Sequence, residues 1–158
     1  MSAQLIFDLV PLGAIVRFFD GTPRPPERHR KKLAAWEYRN RGGRLIRKQP
    51  ERRVGNTVIS ASITLHTGDY GGDGVVVLRV HRTFPVDRDL TFVVTERPKL
   101  GAVRVLDRAG EDAELVYLAN SRVDAETWLE SHGYPDAVLD EVTADATAAG
   151  VVDWRTAA

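Results

Sequence analysis

The chain has 158 residues, 22 basic and 22 acidic side chains, and no cysteine. One domain spanning residues 1–158 is expected at that length, burying roughly 70% of its unfolded surface; 43% hydrophobic and 28% charged residues exclude a disordered chain. The lack of cysteine excludes disulfides and thiolate metal sites, and a cytoplasmic home fits it.

Gln4 to Leu9 and Ala14 to Phe19 read as two strands, broken at Pro11-Leu12-Gly13. The opening run is a poor export signal, with no cationic start, Asp8 inside it and Pro11 after it. Nothing in the chain approaches the apolar length of a membrane span. Phe19-Asp20-Gly21-Thr22-Pro23 then turns the chain.

The basic segment, residues 22–53, follows. It carries twelve lysines and arginines against only Glu27, Glu37 and Glu51. A helix is expected from about Pro26 to Arg41, with proline in its first turn and Gly42-Gly43 stopping it. His29, Leu33 and Trp36 form a narrow apolar face, beside a stripe of Arg28, Lys32, Ala35 and Arg39. Lys32 and Arg39 lie about a turn from Trp36, within reach of a cation–π contact. Arg44 to Lys48 reads as a short strand. Arginine far outnumbers lysine, as a GC-rich bacterial genome would produce, so the excess says little about bidentate chemistry.

Thr57 to Thr67 alternates cleanly, with Ile59, Ala61, Ile63 and Leu65 on one face and Ser60, Ser62, Thr64 and His66 on the other. Residues 68–74 form a glycine loop. Val75 to Phe84 is the next strand, with Arg79, His81 and Thr83 on one side, and the two strands pair most simply as a hairpin. Because a valine strand follows that loop, it is not a phosphate cradle. Leu90 to Glu96, Val103 to Leu106 and Glu114 to Ala119 complete an expected β meander over about 57–119.

Residues 123–150 read as an acidic helical region. Asp124 is placed to cap a helix to His132, ended by Gly133, and Pro135 opens a second helix to Gly150. Val138 to Thr143 also fits a strand. The expected fold is therefore α+β: a mostly antiparallel sheet of about five to seven strands, one helix from the N-terminal third and two from the C-terminus. These helices are expected to cover the face bearing Ile59, Ile63, Val76, Leu78 and Val80.

Three uses follow from these residues. The first is a small binding module that contacts a nucleic acid, or a nucleic-acid-associated or acidic protein, through Arg28, Lys32, Trp36, Arg39, Arg44, Arg47 and Lys48. Such cations displace counterions from phosphates, and Trp36 offers a stacking surface. Its bland counterpart is a solvated face, or cations paired with the acidic late half. The second use is a small-molecule enzyme or ligand-binding protein built on Ser62, Thr64, His66, Arg79 and His81, which combine bases, hydroxyls and a guanidinium. The third is assembly through charge-complementary regions. No catalytic residue, metal site or cofactor is assigned from the sequence, and no membrane partner is expected.

Overall fold

The structure is a computed structural model that describes residues 1–144. Helix α1 (Ala3–Leu9) opens the chain, followed by β1 (Ile15–Phe19), α2 (Arg30–Arg39), β2 (Gly42–Gln49), β3 (Arg52–Val54) and β4 (Thr57–Ile59). Then come β5 (Ser62–Gly72), β6 (Val75–Pro85), β7 (Thr91–Glu96), β8 (Val103–Leu106), β9 (Leu115–Ala119), α3 (Arg122–Glu130) and β10 (Val138–Glu141).

All strand pairs are antiparallel. Five strands form one sheet in the order β6-β5-β2-β1-β7, and three form a second in the order β10-β8-β9. β3 and β4 make a separate exposed hairpin around Gly55. The α+β class with antiparallel sheets thus agrees with the sequence reading, but the helices do not. Among the described residues two lie toward the N-terminus and one toward the C-terminus, the reverse of the expected arrangement.

The first error lies at residues 4–9, read as a strand. Ser2 caps a helix there, its hydroxyl accepting the Leu5 N–H at 3.3 Å, and Ala3, Ile6 and Val10 fall buried at helical spacing. A short apolar run does not distinguish the two periods by itself. The second error lies at residues 138–141, placed inside a second C-terminal helix. They form β10, which pairs with β8, and Arg104 Nη2 meets Asp140 Oδ2 at 2.8 Å across the pair. Residues 135–137 lead into β10 through a turn rather than a helix, and the end of that expected helix, residues 145–150, lies outside the described residues. The cap of α3 is Ser121, whose hydroxyl accepts the Asp124 N–H at 3.2 Å; Asp124 itself sits in the first turn.

The expected meander fails because β7 pairs with β1 rather than β6, and β8 begins the second sheet. The five-stranded sheet curls until its two edges meet: Phe84 of β6 and Phe92 of β7 lie edge to face at 5.5 Å, with Phe18 of β1 at 4.9 and 6.5 Å from them. α1 packs inside this curl with Val16, Leu45, Ile63 and Leu65. Closure buries all three rings against one another, a gain in apolar burial that favours it over a simple meander. Of the described helices only α1 packs with Ile63, and Ile59, Val76 and Leu78 are exposed. A second core, of Val103, Val105, Ala119 and Ala125, joins the smaller sheet to α3.

Gly42-Gly43 stops no helix. α2 ends at Asn40, and Gly43 lies in β2, where an added Cβ would stand 2.5 Å from the His66 carbonyl oxygen. The glycine allows β2 to approach β5 beside His66.

Candidate functional site

The expected phosphate-binding residues divide between two elements. Arg28, Lys32, Trp36 and Arg39 lie on or beside α2, which buries none of its residues. A ten-residue helix without a buried face is marginal by itself. Three ties hold it. Trp36 Nε1–H donates to the Thr22 carbonyl at 2.9 Å. Asn40, nearly fully buried, donates to Asp20 Oδ1 at 3.1 Å and to the Trp36 carbonyl at 2.9 Å. The Arg82 guanidinium donates to the Tyr38 carbonyl and lies over the rings of Tyr38, Phe18 and Phe84 at 4.4, 4.8 and 5.4 Å. Hydrogen bonds from the Thr22 side chain and backbone hold the Asp20 carboxyl below its usual range.

Trp36 makes no cation–π contact among the described residues; its polar edge is fixed to the backbone. Arg24 and Glu37 approach at 3.8 Å, whereas Arg28, Lys32 and Arg39 have no carboxylate within 4.0 Å among the described residues.

The β2 residues face other tasks. Arg44 Nη1 donates to the Gly13 carbonyl at 2.7 Å. Arg47 Nε donates to the Asp112 carbonyl at 2.8 Å, and its Nη2 is 3.6 Å from the Asp112 carboxylate. Lys48 points to the opposite side, its ammonium 5.8 Å from the Phe7 ring. Burial lowers its pKa, Asp8 opposes that shift and Arg104 adds to it. None of these three contacts involves α2.

The other expected set is brought together in part. His66 pairs with His81, and Asp69 pairs with Arg79, across β5 and β6. In a regular strand residues 66 and 69 would face opposite sides. A bulge between His66 and Gly68 inserts one extra residue, so His66 and Asp69 share a face. His66 Nε2 then meets Asp69 Oδ1 at 2.7 Å, Arg79 Nε lies 3.7 Å from the same oxygen, and the His66 and His81 rings meet edge to face at 5.7 Å. With Arg44 and Ile46 these residues floor a cleft of about 260 Å³, whose wall is β9 with Glu114 before it.

Ser62 and Thr64 stay outside the cleft. Both are buried, Ser62 reaching Gln49 Oε1 at 3.5 Å and Thr64 bonding Thr83 at 2.9 Å. Sequence reasoning left out Glu114 and the relevance of Arg44, and took Asp69 as a residue of a plain hairpin loop. Asp69 was hidden because Gly68-Asp69-Tyr70-Gly71-Gly72 reads as loop, yet it continues β5. The turn is only Asp73-Gly74, both at positive φ, between Gly72 and Val75. Among the described residues no group of three or more His, Cys, Asp or Glu side chains is placed to hold a metal ion, and no helix is long and apolar enough to cross a membrane.

A curled antiparallel sheet holding a helix inside, with a second sheet tied to its outer face, defines the class as a two-sheet α+β protein. Over residues 1–146 the chain matches the family described as Uncharacterised conserved protein UCP036055, and it belongs to that family. Comparison with curated proteins and with solved structures gives no match.

Proposed function

We propose that this protein binds a small molecule bearing an anionic group in the cleft between its two sheets. The observation that carries this reading is the bulge in β5, which brings Asp69 onto the face of His66, so that with Arg79 and His81 of β6 four polar side chains line one cleft. Bulges re-aim side chains in this way beside functional sites. Arg79, about half exposed, and the remaining N–H groups of Arg44 supply fork-shaped donors suited to a phosphate or carboxylate. Asp69 orients His66: with Nε2 donating to the carboxylate, Nδ1 is the imidazole's remaining acceptor, an arrangement suited to proton transfer. A volume of about 260 Å³ lies just below the usual range for whole ligands, so it suits one anionic head.

Titration of the protein with inorganic phosphate and with acetate, followed by the His66 and His81 imidazole resonances, tests the reading. Saturable shifts that Arg79→Ala abolishes support it. Resonances unmoved at tens of millimolar of either anion refute it.

A second reading rests on α2, where Arg28, Lys32 and Arg39 are exposed and have no carboxylate partner among the described residues. It is contact with the phosphate backbone of a nucleic acid, or with an acidic protein, now carried by α2 without β2. Three neutralised phosphates predict a slope of about −3 in log affinity against log salt for duplex DNA. Anisotropy measurements on a labelled duplex between low and moderate salt check this. A slope unchanged in the Arg28→Ala, Lys32→Ala, Arg39→Ala triple variant ends the reading.

A further inference from the structure

A second cavity, of about 710 Å³, runs along β6 beneath α2. Ala35, Tyr38 and Leu90 give it apolar lining, and Arg39, Arg82 and Arg88 give it three guanidinium groups. Among the described residues Asp20 is the one carboxylate lining it, and its Oδ1 is already taken by Thr22 and Asn40. β6 is an edge strand, and among the described residues no strand pairs with its far side. The cleft lies toward β9 and the groove toward α2, and His81 lines both.

From the shared wall at His81 we infer that cleft and groove form two subsites for one organic ligand, with an anionic group at each end of a short apolar span. The inference rests on the reading of the cleft as an anion site. One end meets Arg44 and Arg79 in the cleft. The span passes His81, and the other end meets Arg39 and Arg88 in the groove. Arg82 serves the floor rather than the ligand's charge, since three aromatic rings and the Tyr38 carbonyl already surround it. On β6 the cleft's Arg79 and the groove's Arg82 stand three residues apart, about 10 Å along the strand at roughly 3.3 Å per residue, with His81 between them. A chain of five or six methylenes covers that distance.

Three probes separate the possibilities by calorimetry: inorganic phosphate, hexyl phosphate and hexane-1,6-diyl bisphosphate. The bisphosphate is expected to bind at least ten-fold more tightly than hexyl phosphate. Arg88→Ala is expected to erase that advantage, and Arg79→Ala to weaken all three probes. Both side chains are exposed, so neither change threatens the fold. If inorganic phosphate binds but the bisphosphate gains nothing over hexyl phosphate, the two-subsite inference is overturned while the cleft reading stands. If the gain survives Arg88→Ala, the second end lies elsewhere and the inference is overturned too. If no probe binds, both fall together.

Discussion

Arg47 separates a phosphate contact from a structural clasp, because the two roles predict opposite outcomes for Arg47→Ala. Its side chain is about three-quarters buried, and its Nε donates to the Asp112 backbone carbonyl at 2.8 Å. A hydrogen bond from a charged donor contributes about 1.5–3 kcal/mol. The ion pair to the Asp112 carboxylate is longer, 3.6 Å, and that carboxylate is about half exposed, so it adds at most about 0.5 kcal/mol after solvent screening. Arg47→Ala should therefore cost about 2 kcal/mol, a fall in Tm of roughly 4–8 °C for a chain of this size. Asp112→Ala keeps the backbone acceptor but also removes the exposed pair with Arg108 at 3.3 Å, and should cost no more than about 1 kcal/mol. Urea melts of the two variants measure both values. Equal destabilisation by the two would mean that the carboxylate rather than the carbonyl holds the arginine. An Arg47→Ala variant of unaltered midpoint that lost a unit of salt slope in duplex binding would restore the phosphate role and refute the clasp.

The ring cluster gives a larger effect: Phe18→Ala empties a fully buried site between Phe84 and Phe92 and should cost about 3–5 kcal/mol by chemical denaturation. Asp140→Asn removes the charge opposite Arg104, which is nine-tenths buried with no partner for Nε among the described residues; a loss of about 1–3 kcal/mol is expected. Lys48 has a folded pKa below its unfolded 10.5, so the unfolded chain binds more protons in that window and stability should rise with pH through it; Lys48→Met should flatten that rise in melts at stepped pH. Tyr117 behaves oppositely. Desolvation and the Asp124 carboxylate raise its pKa above 10.0, so the unfolded chain loses the proton first and stability should fall as pH climbs past 10.0, a fall that Tyr117→Phe should remove.

Much of the framework was legible where the pattern was local and unambiguous. The alternation in Thr64-Leu65-His66 correctly placed His66 on the polar face, and the short glycine stretch correctly implied the β5–β6 hairpin. What stayed hidden was non-local. The period of residues 4–9 was ambiguous, and only burial of Ala3, Ile6 and Val10 inside the curled sheet selects the helix. Nothing near Thr91 says that its strand pairs with β1 across the intervening chain. At the site, the sequence supplied His66, Arg79 and His81 but assigned Arg44 to a different surface, because charge alone does not report which face of a strand a residue takes. Asp69 was placed in a loop rather than on a strand: the register shift that moves it beside His66 has no signature in residue type, since Thr67 and Gly68 suit either a loop or a bulged strand.

The cleft has no floor and wall from one sheet alone. β2, β5 and β6 provide the first and β9 the second, so the site exists only while the smaller sheet stays against the larger. Arg47 reaching Asp112, just before β9, is one tie between them, and Leu118 packing near Gly13 is another. Gly13 also receives Arg44 on its carbonyl, so the chain that anchors β9 also steadies a guanidinium of the cleft. Anion binding between the sheets should then oppose their separation. Ligand bound only to the folded form stabilises by RT ln(1 + [L]/Kd), about 2.7 kcal/mol at a hundred-fold excess over Kd. That is comparable to the expected loss in Arg47→Ala. Saturating ligand should therefore return most of that variant's lost stability, and the ligand-free variant should bind more weakly than the native chain if the sheets part before the chain unfolds.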